Sequence, residues 1–247
     1  MRILGAVGLY RDQGVVLRTY RLGESDRIVV ILTQGHGKVR AVAKGVRKTK
    51  SRFGARVEPM SHVAVLFFEG RELDIITQAE ALEQFRPVRE DLDRLTRAHS
   101  LLEAADQMVP ERQANPRLYQ MLVGALRALA AHDAPLLVPA FFLKVLAMEG
   151  FHPVLDSCAG CESTEELVGF DLLHGGALCV ACARNAAAPA LSPMALALIR
   201  RILNGDLAGA LGEPEGRPTT EITRLATRAM ENHLERRLRS VTVLDRA

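Results

Sequence analysis

The spacing of apolar residues changes once along this chain of 247 residues, near Pro87. Before Pro87, short β-branched runs alternate with glycine and polar turns, a pattern typical of strands. After it, apolar residues recur with a period near 3.6, which indicates helices. The pattern predicts an α+β protein with a β-rich domain at 1–82 and a helical domain at 83–247.

The β-rich region contains five predicted strands, at 15–20, 27–33, 37–43, 61–68 and 74–81. The turn Gln34-Gly35-His36-Gly37 predicts a hairpin of the second and third strands. Five short strands in about 80 residues favour a small closed barrel of the OB type, a fold that often binds single-stranded nucleic acid.

Positive charge is concentrated in the β-rich region. Residues 1–80 carry 14 Lys and Arg against 8 Asp and Glu, whereas the remainder carries 18 against 21. Positions 38–56, called the basic block below, contain no acidic residue and eight cations: Lys38, Arg40, Lys44, Arg47, Lys48, Lys50, Arg52 and Arg56. Such a block attracts polyanions through electrostatics and counterion release. We predict that these eight residues bind DNA; the alternative is a solvated basic loop.

The two-residue period of a strand divides the third predicted strand into two faces. One face is apolar and contains Val39, Ala41 and Ala43; the other contains Lys38, Arg40, Val42 and Lys44. The first face is expected to pack in the core and the second to be cationic.

Capping residues mark the predicted helices of the second region. Five helices are predicted. The first covers 92–108 and ends before Pro110, the second starts at Asn115 and Pro116, and the third covers about 139–149 and ends before Gly150. The fourth runs from Ser192-Pro193 to Asn204-Gly205, and the fifth covers about 220–239. The third is apolar on nearly all sides, which predicts a central position in the helical core.

All four cysteines lie in two C-x2-C pairs, Cys158 with Cys161 and Cys179 with Cys182, separated by 17 residues. Four thiolates complete a tetrahedral shell, so the spacing predicts one structural zinc ion in a zinc-finger insertion at 152–186. Two disulfides are an alternative for which no secretory segment is recognisable. A redox-active cysteine pair is a second alternative, but it would account for only one of the two C-x2-C pairs.

Recognisable catalytic signatures do not occur in the sequence. It has no phosphate-binding loop, dinucleotide-binding motif or nucleophile elbow, and no His-x-Glu of the zinc deaminases. Glu162, Glu165, Glu166 and Asp171 lie near the cysteines, where a solvated loop is the simpler interpretation. No run of about 18 apolar residues is present to span a membrane. We therefore expect a cytoplasmic protein that is not an enzyme.

Several short motifs, in order, resemble the RecO family of bacterial DNA repair proteins, and the resemblance covers nearly the whole chain. The N-terminal motifs are Gly14-Val15-Val16-Leu17, Tyr20, Gly23-Glu24-Ser25-Asp26-Arg27, Leu32-Thr33, Ala43-Lys44-Gly45-Val46-Arg47-Lys48 and Ser51-Arg52. The C-terminal motifs are Phe142-Leu143-Lys144-Val145-Leu146, Gly150-Phe151-His152-Pro153-Val154-Leu155-Asp156, Phe170, Gly175-Gly176, His233-Leu234 and Leu238-Arg239-Ser240.

The resemblance implies a recombination mediator with an OB-fold domain and a helical domain. Such proteins bind single- and double-stranded DNA and anneal complementary strands. They work with RecR, and sometimes RecF, to load RecA onto DNA coated by single-strand-binding protein, whose acidic tail they contact. A zinc-ribbon adaptor that binds only protein is the alternative. Tyr20 and Phe53 each have two open interpretations, base stacking or core packing.

Overall fold

The computed structural model describes residues 8–48, 51, 53–132, 134–238 and 240. The chain divides into two compact units, and the first of them ends at Ala131. The first unit contains the N-terminal strands together with the helices up to that residue. Residue 82, the predicted domain boundary, lies near the end of the last of these strands.

The first unit contains a closed five-stranded barrel. Its strands are β1 (Leu9–Leu22), β2 (Asp26–Thr33), β3 (Gly37–Ala43), β4 (His62–Phe68) and β5 (Asp74–Glu83). Neighbouring strands follow the order β1-β2-β3-β5-β4, and β4 pairs with β1 to close the barrel. The pairings are antiparallel except that of β3 with β5. This topology confirms the predicted OB-type barrel.

Strand β1 is much longer than the predicted strand at 15–20. Its residues from Leu9 to Val15 pair with β4, and those from Gly14 to Leu22 pair with β2. The first half of β1 was not predicted because residues 11–13 are polar. This half is a strand because its backbone pairs with β4, and its apolar content does not reveal it.

The barrel core includes residues from the loop between β3 and β4. Strand residues such as Val29, Ile31 and Phe67 are fully buried, and Phe53 and Val57 from the loop pack in the same cluster. With 1% of its surface exposed, Phe53 is a core residue and offers no stacking surface.

Three helices complete the first unit: α1 (Arg86–Arg89), α2 (Leu92–Met108) and α3 (Pro116–Ala131). The Asn115 side chain accepts a hydrogen bond from the Leu118 N–H at 3.0 Å, which confirms the predicted cap of α3. Both α2 and α3 contact β1. The helices therefore cover part of the outer surface of the barrel.

The second unit combines helices with a two-stranded sheet. Its elements are α4 (Leu137–Met148), β6 (Leu167–Asp171), β7 (Gly176–Cys179), α5 (Val180–Asn185), α6 (Pro193–Leu203), α7 (Leu207–Leu211) and α8 (Arg217–His233). Most residues of α4 are buried, and the helix packs against α6 and α8, as its apolar sequence predicts. Across the described ranges, no helix combines the length and apolar character needed to cross a bilayer.

The ends of the helices follow their capping residues with one exception. Ser192 accepts a hydrogen bond from the Ala195 N–H at 3.3 Å, and Gly150 follows α4 with a φ of 94°. Helix α8, however, is displaced from the predicted 220–239. It starts earlier because Pro218 fits a first turn, where no helical N–H is required. It ends earlier, and Glu235 beyond it has a φ of 52°.

Candidate nucleic-acid interface and metal centre

Three cations of the basic block lie together on the loop that follows β3. Lys44, Arg47 and Lys48 are all exposed there. Arg47 fixes the loop to the β1–β2 turn: its N–H donates to the Ser25 carbonyl at 3.0 Å, and its guanidinium donates to the Glu24 carbonyl at 2.9 Å. The segment 44–48, called the basic loop below, is thus held against that turn.

Asp26 is the second anchor of the basic loop. Its carboxylate accepts hydrogen bonds from the Gly45 N–H at 2.7 Å and from the Ser25 hydroxyl at 3.0 Å. These bonds, together with the charges of Lys44 and Lys48, hold the pKa of the Asp26 carboxyl below its usual value. Asp26 is therefore ionised at neutral pH, where it orders the loop.

Two other cations of the block face acidic residues in or after α2. Lys38 is only 13% exposed; its Nζ donates to the Asp106 carbonyl at 2.6 Å and lies 3.3 Å from the Asp106 carboxylate. The Arg40 guanidinium lies 3.6 Å from the Glu111 carboxylate. The outer face of β3 is therefore cationic in sequence, but two of its charges are already paired.

Arg56 is the remaining cation of the block whose position the structure describes, and it lies on a different element from the basic loop. Arg56 is exposed on a short 3-10 helix, Gly54–Val57, and lines a shallow cavity with Arg11 and Glu80. Lys50 and Arg52 lie outside the described residues. Of the eight predicted DNA-binding residues, the structure places Lys44, Arg47 and Lys48 in one exposed cluster.

The four cysteines converge on one point in the second unit. Their Sγ atoms all lie within 4.8 Å of one another. Cys158 and Cys161 come from a turn, Cys179 ends β7, and Cys182 lies on α5. The Cys161 and Cys179 sulfurs are 3.8 Å apart, too far for a disulfide and equal to the edge of about 3.8 Å expected for a tetrahedron with Zn–S bonds of about 2.3 Å. This cluster can hold a metal ion.

The backbone around Cys158 favours a thiolate. Burial opposes ionisation, but the N–H groups of Cys179, Gly160 and Cys161 donate to the sulfur, and the pKa of the Cys158 thiol falls to about 6. Gly160 lets this turn pass close to α5: an added Cβ there would lie 3.2 Å from the Cys182 sulfur. Hydrogen bonds with the neighbouring thiols, by contrast, raise the pKa of the Cys182 thiol to about 12. The fit to a metal therefore rests on four sulfurs that converge on one point, where a cation would favour the thiolate form of all four.

A groove of about 660 Å³ lies between the β6–β7 hairpin and α8. Phe170, Leu191 and Leu225 contribute apolar lining, and Leu173 is 92% exposed at its edge. Helix α8 contributes Arg217, Arg224 and Arg228 to the same groove.

Two of the three groove arginines are unpaired within the part of the chain that the structure describes. Arg217 lies 2.8 Å from the Glu221 carboxylate, whereas Arg224 and Arg228 are exposed and have no ion pair with a described residue. The sequence patterns considered above did not single out these arginines. Their spacing of seven and four residues, which places them on one helical face, was the available signal.

The protein belongs to the class in which an OB-type barrel is combined with a helical unit that holds four clustered cysteines. The family model described as "Recombination protein O N terminal" matches residues 7–85, and that described as "Recombination protein O C terminal" matches 89–242. The chain is 42% identical over 243 residues to the DNA repair protein RecO of Frankia casuarinae, covering 97% of this chain and 99% of that one.

A second relative has the same name. The DNA repair protein RecO of Thermobifida fusca is 42% identical over 245 residues, with 98% of this chain and 100% of that one covered. The chain therefore belongs to the RecO family of DNA repair proteins, as its motifs predicted.

Proposed function

We propose that this protein is a non-enzymatic recombination mediator that binds single- and double-stranded DNA and anneals complementary strands in the cytoplasm. The observation that supports this most is the exposed cluster of Lys44, Arg47 and Lys48, which hydrogen bonds fix on an OB-type barrel. Two DNA strands repel each other through their phosphates, and a surface that neutralises both lets the bases meet. Phosphate contacts of this kind carry no sequence preference and consume no nucleotide.

Charge reversal in the basic loop tests this proposal. The variant Lys44→Glu with Arg47→Glu and Lys48→Glu should bind DNA more weakly, whatever its sequence, and anneal strands more slowly. The slope of log affinity against log salt should become shallower by about 0.7 to 0.9 for each phosphate that the variant no longer neutralises. The matched control is Arg71→Glu with Arg86→Glu and Arg117→Glu, which makes the same charge change at exposed positions away from the loop. Equal slopes and annealing rates for the two variants would contradict the assignment.

We propose further that the cysteine cluster holds one Zn²⁺ with a structural role. Four thiolate donors fill the coordination shell of this ion, so no position is left to activate water. Cys158, Cys161, Cys179 and Cys182 would hold the ion and thereby join the turn, the β6–β7 hairpin and α5.

The groove of the second unit supports the proposal of a protein partner. The acidic tail of single-strand-binding protein would place apolar side chains against Phe170 and Leu225 and its carboxylates near Arg224 and Arg228. Docking of this kind would bring the protein to coated DNA, where with RecR, and in some cases RecF, it would promote loading of RecA. The alternative, an adaptor that binds only protein, predicts that the protein does not bind a random oligonucleotide even at low salt.

A further inference from the structure

The four cysteine side chains of the cluster differ in their access to solvent. Cys158 and Cys179 are buried, with 0% and 4% of their surfaces exposed. Cys161, by contrast, is exposed, and Cys182 is half-buried. No side chain at position 160 covers the Cys182 sulfur, because this exposed position is a glycine. Half of the cluster is therefore closed to solvent, and the other half is open to a small reagent.

The two accessible sulfurs are close enough to react with each other. Cys161 belongs to the turn that also contains Cys158, whereas Cys182 lies on α5. Their Sγ atoms lie within 4.8 Å of each other. Since a disulfide requires a separation of about 2.05 Å, the sulfurs need to approach by less than about 3 Å. Movements of the two side chains and the short turn are of this size.

Charge around the accessible pair favours an uncharged oxidant. Positions 158–185 carry four acidic residues and one arginine. Glu162 directly follows Cys161, and Glu165 and Glu166 are exposed in the same segment. Carboxylates repel an anionic oxidant such as glutathione disulfide, but they do not repel neutral hydrogen peroxide. The site therefore fits a small peroxide.

The chemistry of the pair with hydrogen peroxide is a two-electron oxidation. The Cys161 thiolate, as the more exposed one, attacks one peroxide oxygen; an S–O bond forms, the O–O bond breaks, and hydroxide leaves. The Cys182 thiolate then attacks the sulfur of this sulfenic acid, so that the S–S bond forms, the S–O bond breaks and a second hydroxide leaves. Solvent protonates both hydroxides. Two thiolates thus lose two electrons, and one peroxide becomes two waters.

The segment around the cysteines has little core apart from the cysteines themselves. Cys158 and Cys179 belong to its hydrophobic cluster, and Leu178 and Ala183 are the other buried members among the described residues. A metal held by four thiolates would therefore contribute much of the stability of this segment. After oxidation only the two buried thiolates remain as ligands, and a segment with so few apolar contacts opens easily.

The same segment forms one wall of the groove. Phe170 on β6 lines the groove, and its N–H donates to the Pro189 carbonyl at 3.1 Å. The Leu191 N–H donates to the Val168 carbonyl at 2.8 Å, so the stretch 189–191 is held along β6. This stretch follows α5, the helix of Cys182, which packs against β6. Order in the wall therefore depends on how α5 is fixed to the hairpin.

We propose that Cys161 and Cys182 form an oxidation site, at which hydrogen peroxide converts the two thiolates to a disulfide, releases the metal and disorders the hairpin wall of the groove. This inference rests on the structural zinc proposed above and adds control of the groove by oxidation. A partner docked in the groove would be released by peroxide. Reduction of the disulfide in the presence of zinc would restore the wall.

Peroxide treatment of the purified protein, followed with a chromogenic zinc chelator, tests this proposal. The protein should release one zinc per chain, lose two of its four thiols and give a Cys161–Cys182 disulfide in peptide mass spectrometry. Hydrogen-exchange protection should fall at 167–173 and 189–191, while the buried helix α4 stays protected. Dithiothreitol with added zinc should reverse these changes. Cys161→His, which substitutes another zinc ligand for the exposed thiol, should keep the metal and release it about tenfold more slowly.

The matched control is Met194→Leu, because Met194 is an exposed, oxidisable sulfur on α6 outside the cluster; this variant should keep the wild-type sensitivity to peroxide. Zinc that stayed bound in peroxide, or a disulfide other than Cys161–Cys182, would overturn the oxidation site and leave the structural zinc intact. Zinc release with unchanged exchange at 167–173 and 189–191 would overturn control of the groove. Protein that contained no zinc before treatment would contradict the structural zinc itself, and this inference with it.

Discussion

Single side chains decide where the cations of the basic loop point. Replacing Asp26 with Ala removes a negative charge beside Lys44 and Lys48, so simple electrostatics predicts tighter DNA binding. We expect the opposite, about two- to tenfold weaker binding, because removal of the hydrogen bonds to Gly45 and Ser25 releases the loop. Asp26→Asn, which keeps a hydrogen-bond acceptor, should bind DNA more tightly than Asp26→Ala.

Glu24→Ala is the control for the loss of one negative charge, since Arg47 bonds only to the Glu24 backbone carbonyl. Fluorescence anisotropy with a labelled DNA strand measures the affinities. Equal DNA affinity of Asp26→Ala and Glu24→Ala would contradict the role of Asp26 in ordering the loop.

Glu83, another single residue with a measurable role, links the barrel to α3. Its carboxylate accepts from Arg127 at 2.6 Å and lies 2.9 Å from His62 Nδ1, while His62 Nε2 lies 2.8 Å from the Tyr119 hydroxyl. The Arg127 bonds, followed by that of His62, lower the pKa of Glu83 despite partial burial. A lowered folded-state pKa stabilises the protein above the ordinary Glu value of about 4.3, and this stabilisation is lost as pH falls through the folded pKa.

Glu83→Gln should therefore reduce the free energy of unfolding by about 1 kcal/mol at pH 7, a modest value because the side chains are partly exposed to solvent. The difference from wild type should shrink as the pH is lowered from 7 toward 3, because the Glu83 carboxylate takes up a proton as pH falls through its lowered folded pKa. Urea unfolding at the two pH values measures it. A difference that did not change with pH would show that the carboxylate charge contributes nothing.

Among the secondary-structure elements, those around the cysteine cluster have little core of their own. The sheet of β6 and β7 has two short strands, and α5 has six residues. We expect one zinc per chain by elemental analysis, and we expect Cys158→Ser to abolish zinc binding and to lower hydrogen-exchange protection of this segment. Val180→Ala, at an exposed position between Cys179 and Cys182, should keep the metal. Protein purified without chelator that contained no zinc would refute the assignment.

Across the molecule as a whole, the proposed activities fall in different units. The basic loop belongs to the first, and the groove belongs to the second. Arg224→Glu with Arg228→Glu should slow annealing of strands coated by single-strand-binding protein and leave annealing of bare strands unchanged. Charge reversal in the basic loop should slow both. Arg184→Glu with Arg237→Glu is the equal-charge control, and unchanged rates with a coat protein lacking its acidic tail would exclude tail docking.

Features that depend on local pattern could be predicted from the amino-acid sequence alone. Strands β2 and β3, the caps at Asn115 and Ser192, and the cysteine cluster follow from periodicity, backbone preference and spacing within short segments. Short elements such as β6 and α7 were not predicted, because so few residues carry little periodic signal.

The availability of the candidate side chains depends instead on how distant segments pack. Lys38 is paired with Asp106, 68 residues away, and Phe53 is buried in the core, although the sequence presents both as members of the basic block. The first half of β1 is equally non-local, since Leu9 pairs with Phe68 of β4. Pairing over such separations is set by closure of the barrel and by the helices packed on it, which no local periodicity encodes.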